Sequence, residues 1–222
     1  MQRLYYRTGR KYALDNLEKR RLKLSFSNTV NDPYELMPFN FGNDERGEKL
    51  WFAWKECREK NALDQGFISF SKNFSSPAMW GHYADNHKGV AYGFDVLPSQ
   101  KNKLVKIIYK PELKKFENRD LTCEETQQRE IKYASQTKSS HWSYEDEWRI
   151  YCSLGDVEKY QKSIGRELFY LPFGSEIVLR EVIIGAESDL STSQVKAALR
   201  EGHSVDVRKA NLSKEKYEII AR

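Results

Sequence analysis

Trp142-Ser143-Tyr144-Glu145-Asp146-Glu147-Trp148-Arg149, continued by Ile150-Tyr151-Cys152, is the stretch that decides how this chain folds. Its second half predicts a strand over residues 147–152, apolar enough to be buried, entered from a long polar segment with helical character. Side chains alternate faces along a strand. Glu145 and Glu147 are therefore expected on one face, with Tyr144 and Trp148 on the other. Two neighbouring carboxylates repel unless an arginine, a metal ion or a cationic transition state lies between them, and rings around them lower the local dielectric. The plainer reading is an exposed Glu-x-Glu edge paired with Arg149 or Lys138.

Outward from this strand, strands and helices follow one another without regular βαβ alternation, which predicts an α+β fold. Toward the N-terminus the pattern predicts a strand over 4–7 and an amphipathic helix with Leu14, Leu17 and Arg21 on one face. A strand over 22–27 then stops at Asn31-Asp32-Pro33, a stiff turn. A helix over 44–63 is expected to bury Leu50, Trp51, Trp54 and Cys57. A strand over 67–71 leads to Ser76-Pro77, a cap and first helical position. The short helix over 77–84 turns Met79, Trp80 and Tyr83 inward, and strands over 89–96 and 104–109 precede an outer helix over 112–137. Beyond the carboxylate strand lie strands over 168–171 and 177–185. A capping box at Ser191 and Gln194 opens a helix ending at Gly202, before strands over 205–208 and 217–220.

Length and composition bound the function. A chain of 222 residues suits a single domain spanning 1–222. Its 13 Tyr, 11 Phe and 5 Trp predict a core and cleft built from rings. With 31% charged residues and no run of roughly 20 apolar ones, no membrane-spanning helix is expected. The N-terminus enters structure without a signal-peptide apolar region. Cys57, Cys123 and Cys152 are widely spaced and read as reduced thiols, so the expected location is the cytoplasm. A net charge of +5 permits attraction to nucleic acid or anionic cofactors without specifying either.

Three constellations bear chemistry. Phe67-Ile68-Ser69-Phe70-Ser71 is read as a strand with both serines on one face and both rings on the other, leaving small hydroxyls open to a ligand. Trp80-Gly81-His82-Tyr83-Ala84-Asp85-Asn86-His87-Lys88-Gly89 contains metal-ligand residue types. However, the five-residue step from His82 to His87 separates the rings on a helix, so hydrogen-bonding roles and no metal are expected. Asn31-Asp32-Pro33-Tyr34-Glu35 is a turn first and a polar contact second. Neither a phosphate-binding loop, a Rossmann fingerprint nor a nucleophile elbow is present. A nuclease built on Asp32, His82, Asp85 and Glu147 lacks ligand spacing.

Several strings together resemble the bacterial domain-of-unknown-function family 2971. They are Leu4-Tyr5-Tyr6-Arg7, Leu24-Ser25-Phe26-Ser27, Asn31-Asp32-Pro33-Tyr34-Glu35, Trp80-Gly81-His82-Tyr83-Ala84, His87-Lys88-Gly89, Gly93-Phe94-Asp95 and Trp142-x-Tyr144-Glu145-x-Glu147-Trp148-Arg149. Proteins that look similar stand beside phage-defence genes, which makes a defence or toxin role one implication. The order of polar positions also resembles ADP-ribosyltransferases, which carry an Arg or His on an early strand, a Ser-x-Ser strand and a Glu that may sit in Glu-x-Glu.

That second resemblance implies a split, mostly antiparallel sheet flanked by helices, and NAD as substrate. Glu147 would be the catalytic carboxylate and Glu145 would position or deprotonate the acceptor. Arg7, Ser69, Ser71, Tyr83 and His82 would contact the dinucleotide, with Tyr83 or Phe74 stacking on nicotinamide. The acceptor would be a protein, a nucleic acid or water. Two departures stand out: Phe70 occupies the middle of the serine motif, and a long insertion (28–65) precedes it. The alternative is a nucleotide or nucleic-acid sensor that binds without turnover.

Overall fold

A computed structural model of the chain describes residues 2–97, 103–117, 124–161, 167–199 and 204–222. β1 (Gln2–Thr8) runs into α1 (Arg10–Glu18); β2 (Arg21–Lys23) and β3 (Phe39–Asn40) precede the long α2 (Glu45–Asp64). β4 (Gln65–Ser71), α3 (Pro77–Tyr83) and β5 (Val90–Val96) follow. Then come β6 (Leu104–Lys106), β7 (Ile108–Lys110), β8 (Lys114–Lys115), α4 (Glu124–Ser135) and β9 (Thr137–Ser139). A 3-10 turn, Ser140–Glu145, leads into β10 (Glu147–Ser153). The remainder comprises β11 (Glu158–Gln161), β12 (Glu167–Pro172), β13 (Ile177–Ile184), α5 (Thr192–Ala198), β14 (Asp206–Leu212) and β15 (Ile219–Ala221).

The fold is α+β. Among the described residues the main sheet has eight strands, ordered β15-β14-β13-β5-β1-β4-β10-β6, antiparallel throughout except between β13 and β14. A three-stranded sheet (β11-β12-β2) and two parallel pairs (β3-β8 and β7-β9) stand beside it. No helix among these residues is long and apolar enough to cross a membrane.

Strand alternation divides the main sheet into two faces. Even-numbered residues of the central strands, including Leu4, Ile68, Phe70, Tyr92, Phe94 and Ile150, enter the main core with Ala13 and Leu17 of α1 and Val195 of α5. Each fully buried side chain of this size stabilises the fold by about 1.5–3 kcal/mol. Odd-numbered residues of β1, β4 and β10 face the other way. There α3 packs Trp80 and Ala84 against Ala91 and Ile183. The insertion forms a separate cluster in which Leu36, Met37, Phe39 and Trp54 meet Phe116 and Ala134. The Trp54 indole donates to the Leu36 carbonyl at 2.6 Å, fixing the turn that carries Glu35.

The turn from α3 to β5 passes through three left-handed residues, Asp85, Asn86 and His87. It ends at Gly89, where a Cβ would lie 2.1 Å from the Thr8 carbonyl oxygen. Only glycine permits the entry to β5 to pass this close to the end of β1.

Several expected boundaries move for identifiable reasons. Arg21 lies in β2 rather than α1, because Arg20 at φ 50° ends the helix in a left-handed turn. The strand expected over 22–27 stops at Lys23. Beyond it, Leu24 donates to the Phe169 carbonyl and Ser25 bridges to Phe67. Trp51 is exposed, since α2 buries Gly47, Trp54 and Ala62 instead. The strand over 104–109 splits at the buried Ile107 because β6 pairs with β10 and β7 with β9. In place of a helix from residue 112, Lys114 and Lys115 pair with β3, and α4 is seen from Glu124. The Ser191–Gln194 capping box is formed, and its helix ends at Ala198. Gly202 and Cys123 lie outside the described residues; Cys57 and Cys152 are free thiols.

Candidate functional site

β1, β4 and β10 lie side by side, with Tyr5 opposite Ser71 and Ser71 opposite Glu147. Their odd-numbered residues line one cavity of about 220 Å³. Arg7, Ser69, Ser71, Tyr83, Glu145 and Glu147 all contribute to its wall. His82 does not line it: its ring lies 6.1 Å from the rings of both Tyr83 and Tyr144. Phe74 is also elsewhere, packed edge-on to Tyr5 at 5.4 Å.

Phe67 shares the serines' face, contrary to the expectation that both rings point away from them. Residues 67, 69 and 71 have the same parity, so only Phe70 enters the core. The Phe67 ring instead packs under the Arg149 guanidinium, 4.4 Å from ring centre to Cζ.

The two carboxylates converge, though not by alternation along one strand. Glu145 closes the 3-10 turn, which Ser139 caps, and Asp146 then adopts a left-handed conformation at φ 40°. β10 begins only at Glu147. Lys138 of β9, itself buried, stands between them and donates to Glu145 Oε2 at 2.6 Å and to Glu147 Oε2 at 3.3 Å. The Tyr83 hydroxyl donates to Glu145 Oε1 at 2.5 Å.

Arg149 completes the cluster. It donates through Nε to Glu147 Oε1 at 2.6 Å and through the amino groups of its fork to both oxygens of Glu35, at 2.5 and 2.8 Å. The Glu-x-Glu edge is thus paired with both cations suggested by its sequence, but is buried rather than exposed. The insertion supplies Val30, Asn31 and Glu35 to the wall.

Arg7 differs from the other two cations. It is buried, its amino groups donate to Ser71 Oγ at 2.5 Å and the Asn73 carbonyl at 2.9 Å, and its Nε has no partner. Among the described residues no carboxylate pairs with it. Burial brings its pKa down to about 10, so it remains a cation at neutral pH. A buried cation without a counter-ion is a place for an anion.

The acids are pushed apart. Burial and the neighbouring Glu147 charge raise Glu145, against the pull of Lys138 and Tyr83. Burial also acts to raise Glu147, but Arg149 and Lys138 overcome it and take the group from 4.5 to about 2, with Ser69 adding a hydrogen bond. One carboxylate is held ionised while the other is drawn toward its protonated form, an arrangement suited to dividing charge stabilisation from proton transfer.

A stability prediction follows from the direction of the Glu147 shift. The folded value lies below the unfolded one, so the stabilisation is complete above about pH 4.5 and is lost as pH falls toward about 2. Asp95, lowered first by its bond to Arg3, and Glu181, lowered by Arg208 and Arg3 despite burial, act in the same direction. Melting temperature is expected to fall across this acid window, and Glu147→Gln to flatten the slope. A pH series of thermal melts on both proteins measures it; identical slopes would contradict the assignment.

No curated protein and no solved structure matches this chain. Residues 79–150, which carry Tyr83, Lys138, Glu145, Glu147 and Arg149, match the family described as Protein of unknown function (DUF2971), in support of the first resemblance read from the sequence.

Proposed function

We propose that the protein consumes NAD, cleaving the bond between ribose and nicotinamide and passing the ADP-ribosyl group to an acceptor. One observation carries this reading. The Arg, Ser-x-Ser and Glu positions of the resemblance occupy three adjacent strands and face one cavity, and no acid among the described residues pairs with the arginine. At about 220 Å³ the cavity suits a nicotinamide–ribose fragment rather than a whole dinucleotide.

In this mechanism the electron pair of the C1′–N bond leaves with nicotinamide, and positive charge grows on the ribose. Glu147, held ionised, stabilises that charge and accepts a hydrogen bond from a ribose hydroxyl. Its 3.3 Å contact with Lys138 is the longest in the cluster and the one a hydroxyl displaces. Preorganised charge in a dry site is worth far more than in water. Arg7 takes the anionic part of the dinucleotide. The acceptor's lone pair forms the new bond at C1′ and its proton passes to Glu145, whose raised pKa fits a base.

A second reading, a nucleotide sensor without turnover, has its own supporting observation: both acids are already engaged by buried cations. Incubation of the purified protein with NAD separates the two. Nicotinamide release supports the enzyme. Absence of release with an NAD-induced rise in melting temperature supports the sensor, and neither response removes NAD as the ligand.

A further inference from the structure

Lys138 also borders a second cavity, of about 610 Å³. Its wall carries the rings of Tyr34, which is 57% exposed, His141, Trp142 and Tyr144. The Trp142 and Tyr144 centroids lie 6.2 Å apart with a 38° tilt. The Lys138 ammonium sits 4.8 Å from the Trp142 ring centre. Such rings offer stacking area to a planar ligand.

Asp32 forms part of the same wall and is 2% exposed. Its Oδ1 accepts the Tyr34 backbone N–H at 2.9 Å, while its Oδ2 is buried without any hydrogen-bond partner. A buried carboxylate oxygen left without a donor is costly, and the ligand that relieves it must bring an N–H or O–H.

We infer that this second cavity is a nucleobase subsite that selects bases carrying an exocyclic amino group. The amino group donates to Asp32 Oδ2, the base stacks among Tyr34, Trp142 and Tyr144, and Lys110 on the rim meets the attached phosphate. A basic side chain from a peptide would also suit an acid ringed by aromatics. Glu112 also borders the space and Lys138 is already held by Glu145 and Glu147, so Lys110 is the cation that a nucleotide's phosphate can use and a basic side chain cannot. The subsite stands whether or not the neighbouring cavity turns NAD over. Two sources share this chemistry: the adenine half of a dinucleotide whose other half lies in the first cavity, and a separate nucleotide or strand.

Calorimetric titration with adenosine monophosphate and inosine monophosphate tests the inference on the unmodified protein. Inosine presents an oxygen where adenosine presents the amino group, so it should bind about tenfold to a hundredfold more weakly, as expected for losing a hydrogen bond to a charged group. Asp32→Asn can donate as well as accept, keeps the contact to Tyr34, and should narrow or reverse that preference. Trp142→Ala, checked for folding by circular dichroism, should weaken both ligands. Competition between NAD and adenosine monophosphate identifies the adenine half as the natural occupant; simultaneous binding identifies a separate nucleotide. Equal affinity for the two monophosphates in the unmodified protein, or displacement of both by an arginine-bearing peptide, overturns the inference. Discrimination without nicotinamide release would keep the subsite and remove the enzyme reading. Release without discrimination would do the reverse.

Discussion

Arg149→Met is expected to destabilise the protein by about 3–5 kcal/mol, the range found when one partner of a buried ion pair is removed. Arg149 is 2% exposed and holds two carboxylates at once. Methionine fills much of the space but donates to neither. Glu147 would keep Lys138 at 3.3 Å, whereas the Glu35 carboxylate would lose both of its hydrogen-bond donors. Because Glu35 lies 114 residues away in the insertion, the loss would also loosen the insertion from the sheet.

Lysine is not an adequate substitute, since a single ammonium cannot reproduce the fork that grips Glu35. Urea denaturation measures the cost. Adding Glu35→Gln to Arg149→Met should recover a large share of it, because the orphaned charge is then gone. A cost below about 1 kcal/mol for the single change would place the pair in the range of a solvent-exposed salt bridge and contradict the burial described above.

This ion-pair cluster also shows what was legible in the sequence. The three motif strands could be read from short-range alternation, and so could the Ser76 cap and the Ser191–Gln194 box, because local hydrogen bonding decides them. That Glu145 and Glu147 share a site was also legible. Their means of convergence was not, since a left-handed Asp146 leaves no periodic trace. Lys138 and Arg149 could be named as partners from proximity in sequence. Their burial could not, because it depends on β9 pairing with β7 and on the insertion folding over the sheet. Glu35 read only as part of a turn; its place opposite Arg149 is a tertiary fact. The insertion, which looked like a departure from the resemblance, supplies part of the wall. His82 belonged to the same short string as Tyr83, yet a helix sends adjacent residues to different faces, and only Tyr83 reaches the cavity.

Glu147→Gln is the complementary experiment, with a moderate structural effect and a large kinetic one. Removing this charge leaves Arg149 with Glu35 and Lys138 with Glu145, so each buried cation keeps an acid. The amide oxygen can still accept from Arg149 Nε, but the amide nitrogen then faces Arg149 and Lys138 where Oε2 accepted from both, so the loss of stability should be about 2–4 kcal/mol. Under the proposed mechanism the same change removes the carboxylate that meets the charge growing on the ribose. Nicotinamide release should fall about a hundredfold to a thousandfold while NAD affinity changes little, since charge on the sugar develops only in the transition state. Glu145→Gln should behave differently, impairing transfer to an acceptor more than cleavage, because its part is the proton. A Glu147→Gln protein that folds, binds NAD and releases nicotinamide at the original rate would show that Glu147 serves the ion-pair cluster alone. The sensor reading would then have to explain why Arg7, two strands away in β1, is buried with no acid to meet it among the described residues.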